Sequence, residues 1–379
     1  MHILVVYYFY KSQVSGVGDV IEAYCQELLA QRTDIKITVL CQNVNNEPET
    51  ETIDGVDVIR FNSSSIAGGR IPLLSLDLWQ KLNHILESQK IDQIHLHTRF
   101  STSTVIGLLA AKKNKVKTIH FEHLSNFILG EKPLLQNICW LWDQTISRVI
   151  FSQVDQIVAI SHSVKGFICS KLGADSDKVV VIPNGCRFTA NSLAVSSKFQ
   201  CKRNYQLLFA ARLVPLKNPI LTLQVIHQLS LIRQDFMFTV AGYGALEEEV
   251  KKYIKDNDLS NFVSFVGSQN SVQMSQYFKQ NDIFLNLSYL EGLPGGVMEA
   301  LFNNNICFVS DVGGNNDLIT DSHCLVELST ATAQSIAKQL DFILNNISLV
   351  AQSTELDKQK ASQINNWSIA VKKMIKELF

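Results

Sequence analysis

Residues 183–211 read PNGCRFTANSLAVSSKFQCKRNYQLLFAA. The turn signal Pro183-Asn184-Gly185 is followed by a polar stretch, Thr189 to Asn204, with no hydrophobic period, and then by a fresh apolar run at Gln206–Ala211. Pro and Gly are the strongest local breakers of regular structure, so this is where one repeating pattern stops and another starts. Before the break, short β-branched runs at Ile3–Phe9, Lys36–Cys41, Val56–Phe61, Gln93–His97, Lys117–Phe121, Gln156–Ile160 and Lys178–Ile182 predict strands. Helical patterns such as Gly18–Gln31 and Ser103–Lys113 lie between them. After it, Gln206–Ala211, Phe236–Ala241, Phe262–Val266, Ile283–Leu287 and Ile306–Ser310 repeat the alternation. The runs are continuously apolar, as parallel strands covered on both faces must be. Two successive β-α-β-α series predict an α/β protein of two doubly wound, Rossmann-like domains. In open sheets of this kind ligands bind at the carboxyl ends of the strands, here across a central cleft between the domains.

Composition agrees. The chain has 379 residues, 46% hydrophobic and 18% charged, which suits two well-packed domains and excludes a disordered chain. Lys and Arg number 34 against 35 Asp and Glu, so no global field attracts nucleic acid. The start, MHILVVYYFYKSQ, lacks the basic region and cleavage site of a signal peptide, and no apolar stretch reaches the roughly 18 residues of a membrane span. A soluble, cytoplasmic protein is expected. The eight cysteines are scattered without a CxxC pair, as reduced thiols would be.

The strongest local signal is Glu291-Gly-Leu-Pro-Gly-Gly-Val-Met-Glu299, which follows an apolar strand and opens a helix running to about Phe302. Pro294 suits a first helical turn, whereas Gly292, Gly295 and Gly296 would be poor helix residues. They make sense where bare backbone N–H groups approach an anion, and phosphate is the usual one. Glu299, set among Val297, Met298, Ala300 and Leu301, needs a partner, and two carboxylates flanking such a site could hold hydroxyls on either side of a diphosphate. Arg212 and Lys217, at the end of the first strand of the second series, could converge on one anion. Ser15-Gly16-Val17-Gly18 supports close backbone approach at the first strand–helix turn but is not a full dinucleotide fingerprint. His97 and His123 fall at or just past strand ends, near His95 and His120, and no carboxylate or cysteine is spaced to complete a metal site with them. Asp175-Ser-Asp177 resembles a D-x-D metal motif but sits in a polar turn.

In their order and spacing these features resemble family four of the retaining glycosyltransferases, enzymes of GT-B architecture. The resemblance also takes in Val154-Asp-Gln-Ile-Val-Ala-Ile-Ser161, Val181-Ile-Pro-Asn-Gly185, Val240-Ala-Gly-Tyr-Gly244 and Asp311-Val-Gly-Gly314. It implies an acceptor domain over 1–183, a nucleotide-sugar donor domain over 184–360, and a C-terminal helix over 361–379 returning toward the first. It implies that Arg212 and Lys217 bind the donor diphosphate and that Gly16 lies beside it. Glu291 would contact donor-sugar hydroxyls, Glu299 the ribose, and Gly292, Leu293, Pro294 and Gly295 the sugar and phosphate through their backbone. His123 would sit near the transferred sugar. The family's chemistry retains the anomeric configuration, needs no metal or cofactor, and uses a nucleotide sugar as donor, here UDP-linked. Three positions depart from the family pattern: Ser15 and Ala211 replace glycines, and Phe302-Asn-Asn-Asn305 replaces a small-residue stretch and looks like a helix end.

A nucleotide-sugar 2-epimerase on the same fold would want further acid/base carboxylates, and a non-catalytic relic would have lost Arg212, Lys217 or a glutamate. A dehydrogenase would need the full glycine fingerprint. The acceptor, a glycan or a lipid-linked hydroxyl compound, carries no motif. Pro133 to Phe151, with Leu134, Leu135, Ile138, Leu141, Trp142, Ile146, Val149 and Ile150, forms a broad apolar helix face that either packs on the sheet or meets a lipid-linked acceptor or the inner face of a membrane.

Overall fold

The computed structural model describes residues 1–379 except 12–15, 64, 67–70, 73–74, 128–132, 187–194, 200–203 and 365, with backbone alone for 65–66, 71–72, 133–135, 196–197 and 364. Ser15 and most of the polar segment between the two series therefore lie outside the described residues. The chain divides into two compact units, one of Met1–Gly185 with Trp367–Phe379 and one of Cys186–Asn366.

In the first unit the apolar runs become β1 (His2–Val6), β2 (Lys36–Gln42), β3 (Thr50–Ile53), β4 (Val56–Phe61), β5 (Gln93–His97), β6 (Lys117–Glu122), β7 (Gln156–Ala159) and β8 (Val179–Val181). They form one sheet in the order β8-β7-β6-β5-β1-β2-β4-β3. Every pairing is parallel except that of β3 with β4. The central strands β1, β2, β5 and β6 are buried on both sides. On one face Ile3, Val5, Val39 and Ile119 pack with Ile21, Tyr24 and Leu28 of the Gly16–Gln31 helix and with Val371, Met374 and Leu378 of the Trp367–Leu378 helix. The latter is tied down by Gln93 Nε2 and Lys117 Nζ, which both donate to Leu378 O, at 2.9 and 2.7 Å. Most boundaries fall within a residue or two of expectation, and two larger differences stand out. β1 stops at Val6 rather than Phe9, although the Tyr7 N–H still donates to Leu40 O at 3.2 Å and Tyr8 O accepts the Gln42 N–H at 2.9 Å, and Tyr7, Tyr8 and Tyr10 are buried. β3 is a polar edge strand, Thr-Glu-Thr-Ile, that hydrophobic runs could not reveal.

The second unit carries β9 (Tyr205–Ala210), β10 (Phe236–Ala241), β11 (Val263–Gly267), β12 (Ile283–Asn286), β13 (Ile306–Ser310) and β14 (Leu325–Val326). Their order is β11-β10-β9-β12-β13-β14, all parallel. β9, the first strand in sequence, lies inside the sheet between β10 and β12, the point where the strand order reverses. No helix among the described residues is long and apolar enough to cross a membrane, and the described cysteines are all free thiols.

Candidate functional site

In the second unit β10, β9, β12 and β13 lie side by side and parallel, so the loops after them share one edge of the sheet. The loop after β9 is the middle of this rim. Toward β10, Leu213 N–H donates to Tyr243 O at 2.8 Å and Leu246 N–H to Leu213 O at 2.9 Å; toward β12, Tyr289 N–H donates to Leu216 O at 2.9 Å. Such backbone contact demands glycine. Gly242 and Gly244 both have φ +153°, and a Cβ would lie 2.0 Å from Ala211 O at the first and 2.4 Å from Leu213 O at the second. At Gly314, after β13, a Cβ would lie 2.3 Å from Gly292 O, and the Gly314 N–H donates to Glu291 O at 3.3 Å.

Lys217 and Glu291 meet on this rim. Lys217 Nζ donates to Glu291 Oε1 at 2.6 Å, and Asn286 Nδ2 donates to the same oxygen at 3.1 Å. The Glu291 side chain is 7% exposed and that of Lys217 21%. Asn286 is held in turn: Ser288 Oγ donates to its Oδ1, Ser310 Oγ donates to Ser288 O at 2.6 Å, and Asn315 Nδ2 to Ser310 O at 2.8 Å. A buried polar network of this kind fixes the carboxylate in one position. Arg212, on the same loop as Lys217, is exposed, and its side chain has no partner among the described residues.

The helix after Glu291 runs Gly295–Phe302, with Pro294 as its N-cap rather than in its first turn. Val297 and Met298 N–H groups return to Pro294 O, at 3.2 Å each, and no side chain caps the helix. The Gly295 and Gly296 N–H groups have no acceptor among the described residues, and a Cβ on Gly295 would meet nothing within 4 Å. Unpartnered N–H groups at a helix terminus and the exposed Arg212 on the neighbouring loop are groups of the kind that can hold an anion, while the Lys217 charge is shared with Glu291. Glu299 is half-buried on the same helix. Asn303 caps the helix at its far end and Asn304 takes a left-handed φ of +62°, so the triple asparagine terminates the element.

Gly16 and His123 belong to the first unit. Gly16 opens its helix, and a Cβ there would meet nothing within 4 Å. His123 follows β6 beside a buried ionic cluster that sequence reading missed. Arg99, fully buried, donates to Asp143 Oδ1 at 2.8 Å and to Glu122 Oε1 at 2.9 Å. Glu122 Oε1 also accepts the His123 and Leu124 N–H groups at 3.1 and 3.0 Å, and its Oε2 faces His120 Nε2 at 3.1 Å. Burial alone would raise the Glu122 carboxyl; the Arg99 guanidinium and the His120 ring outweigh it and hold the group at about 2. Burial pushes His123 down to about 4 despite Glu122, and drives His97 well below its ordinary range. His97 Nδ1 lies 3.2 Å from His123 Nε2. His97 stacks on Phe121, with ring centroids 4.7 Å apart.

Elsewhere, Asp175 Oδ1 accepts the Asp177 N–H at 3.1 Å, so the D-x-D sequence is a capped turn. No three His, Cys, Asp or Glu side chains among the described residues are grouped to hold a metal ion. The apolar segment is a helix over Pro133–Trp142, a wider turn over Asp143–Ser147 that brings Asp143 to Arg99, and a helix over Arg148–Gln153. Leu134 and Leu135 lie outside the described side chains. Ile150 is buried, but Ile138, Trp140, Leu141 and Val149 are 51, 52, 57 and 58% exposed, so packing on the sheet accounts for only part of this face.

The family described as Glycosyltransferase Family 4 matches residues 14–188, and Glycosyl transferases group 1 matches residues 196–360. An uncharacterized glycosyltransferase of Methanocaldococcus jannaschii is 24% identical over 96% of this chain and 94% of its own length. The UDP-Gal:alpha-D-GlcNAc-diphosphoundecaprenol alpha-1,3-galactosyltransferase of Escherichia coli is 26% identical over 65% of each chain. Among solved structures, sucrose-phosphate synthase of Thermosynechococcus elongatus shares the fold, with a TM-score of 0.77 at 15% identity over 99% of this chain and 97% of that one. Two α/β units with these two domain matches in this order establish that the chain belongs to the GT-B glycosyltransferase superfamily.

Proposed function

We propose that the chain transfers a hexosyl group from a UDP-sugar, with retention at the anomeric carbon and without a divalent cation, to a lipid-linked glycan acceptor in cell-surface polysaccharide or glycoconjugate synthesis. The observation that carries this reading is the Lys217–Glu291 pair standing beside an uncapped helix terminus, Gly295–Phe302, with Arg212 unengaged on the same loop. In this reading Arg212, Lys217 and the N–H groups from Gly292, Leu293 and Gly295 stabilise negative charge as the diphosphate leaves, and stabilisation of this kind commonly contributes more to catalysis than any other effect. Glu291 accepts from hydroxyls of the transferred sugar and Glu299 from those of the ribose. Gly16 and His123 are the first unit's residues assigned to the diphosphate and to the sugar. The leaving diphosphate helps to deprotonate the acceptor on the same face of the sugar. Glu122, the carboxylate at the end of β6, is committed to Arg99 and His120, which favours transfer over the acid/base work of an epimerase.

The UDP donor and the lipid-linked acceptor are supported by the name of the Escherichia coli relative. The exposed Ile138, Trp140, Leu141 and Val149 support an apolar acceptor and peripheral contact with the cytoplasmic face of a membrane. Thermal shift against UDP-, GDP- and ADP-sugars tests the donor, and the UDP series should raise the melting temperature most. The anomeric configuration of the product, read by NMR, tests retention. Activity abolished by EDTA and restored by manganese would count against metal independence.

A further inference from the structure

His97 and His123 follow each other at the ends of adjacent strands, β5 and β6, and share one hydrogen bond between His97 Nδ1 and His123 Nε2. Both rings are buried, and burial keeps both neutral at pH 7. A neutral imidazole has one N–H and one bare nitrogen, so the bond can run in only two ways. If His123 donated, the proton of His97 would sit on its Nε2, which is buried and has no partner. If His97 donates from Nδ1, the orphan at Nε2 is only a lone pair. Orphaned buried N–H groups are the rarer and costlier case. Beside them, His120 Nε2 faces Glu122 Oε2, which can only accept, so that nitrogen carries a proton.

We infer that His97 fixes His123 with its proton on Nδ1, so that His123 acts as a hydrogen-bond donor to an oxygen of the transferred sugar and not as a base. His97 is then a positioning residue. His123 Nδ1 has no partner among the described residues, unlike the Nε2 that His97 engages. The turn that carries the ring is anchored independently, because Glu122, held by Arg99, takes the backbone N–H groups of His123 and Leu124. The role toward sugar rests on the transferase reading; the placement of the proton does not.

Long-range proton–nitrogen NMR on the whole chain, labelled with nitrogen-15 in histidine and kept at pH 7, reads the placement directly. His123 should show a protonated Nδ1 and a bare Nε2, and a proton on Nε2 would overturn the inference. His97→Phe keeps an aromatic ring against Phe121 and removes the bond. The ratio of Nδ1–H to Nε2–H forms at His123 should then fall roughly fivefold, the worth of one ordinary buried hydrogen bond. An unchanged ratio would also overturn the inference. If that variant fails to fold, the spectrum of the unaltered chain decides alone. In turnover, His97→Phe should lower kcat while sparing UDP affinity, and His97→Asn, whose amide can donate from the place of Nδ1, should recover part of the loss. Equal kcat in His97→Phe and the unaltered chain would refute the role toward sugar. No transfer from any nucleotide sugar, with His123 protonated as stated, would instead refute the transferase reading alone.

Discussion

Arg212 and Lys217 occupy one loop, yet only Lys217 has a carboxylate to hold, and the two should respond differently to removal. Arg212→Ala takes away an exposed side chain with no described partner, so stability should stay within about 0.5 kcal/mol while affinity for UDP falls. Lys217→Ala leaves the buried Glu291 carboxylate without its cation, at a cost of about 1–3 kcal/mol, and should weaken UDP as well. Chemical denaturation and calorimetry on both variants separate the two effects; equal stability losses would show that the Lys217–Glu291 bond contributes nothing to the fold. The paired glutamates should divide along the same lines. Glu299 stands four residues into its helix, an advance of roughly 6 Å from Gly295 toward the depth of a ribose. Glu299→Gln should weaken bare UDP, whereas Glu291→Gln should spare bare UDP and lower turnover with the intact donor. Glu291→Gln weakening bare UDP as much as Glu299→Gln does would end that division of labour.

The rim of strand-end loops explains why its glycines are not equivalent. Gly314→Ala drives a Cβ against the carbonyl of Gly292 at 2.3 Å, so the loop carrying Glu291 must shift and both melting temperature and donor affinity should fall. Gly295→Ala meets only open space, so melting should be unchanged while the new methyl obstructs whatever anion approaches the bare N–H groups. A Gly295→Ala chain that binds UDP normally would remove this terminus from the site. The same distinction marks what a sequence discloses about an element. Glu291 through Glu299 were readable because strand, turn and helix terminus are contiguous, and glycine and proline announce them. The Lys217–Glu291 bond spans 74 positions, and Arg99 reaches Glu122 and Asp143 across 23 and 44. Those pairings exist only after parallel strands bring their ends together, and no local pattern encodes them. Asp143 was further hidden because the wider helical turn over Asp143–Ser147 breaks the 3.6-residue period that would have assigned its face.

Between pH 7 and about 5, above the range in which the depressed carboxylates Asp235 and Asp321 titrate, the buried groups of the two units should answer acid with opposite signs. Burial depresses His95 to about 3 and His123 to about 4, from an ordinary value of 6.5, and lowers His97 as well. The unfolded first unit therefore binds more protons than the folded one once pH drops below about 6.5, and stability present above that value is progressively lost toward 4. Glu122, depressed to about 2, adds a loss that begins only below about 4.5. In the second unit Asp357 is raised by burial to about 6, so its folded form takes up a proton first and its contribution grows as pH falls from 6 toward 3.8. Hydrogen exchange compared at pH 7 and pH 5, corrected for intrinsic rates, should show protection lost preferentially in the first unit. Equal loss in both would refute this account. The alternation of apolar runs foretold both sheets because the burial of strands is a local property, but it carried no sign of where Trp367–Leu378 would pack. That helix is translated after every residue of the second unit, yet its backbone closes the first unit through Gln93 and Lys117. On the ribosome, the part begun earliest must consequently wait for the part made afterwards. Residues 186–366 are contiguous and can complete their core as they emerge, while 1–185 lack the helix that packs on their sheet until 367–379 arrive.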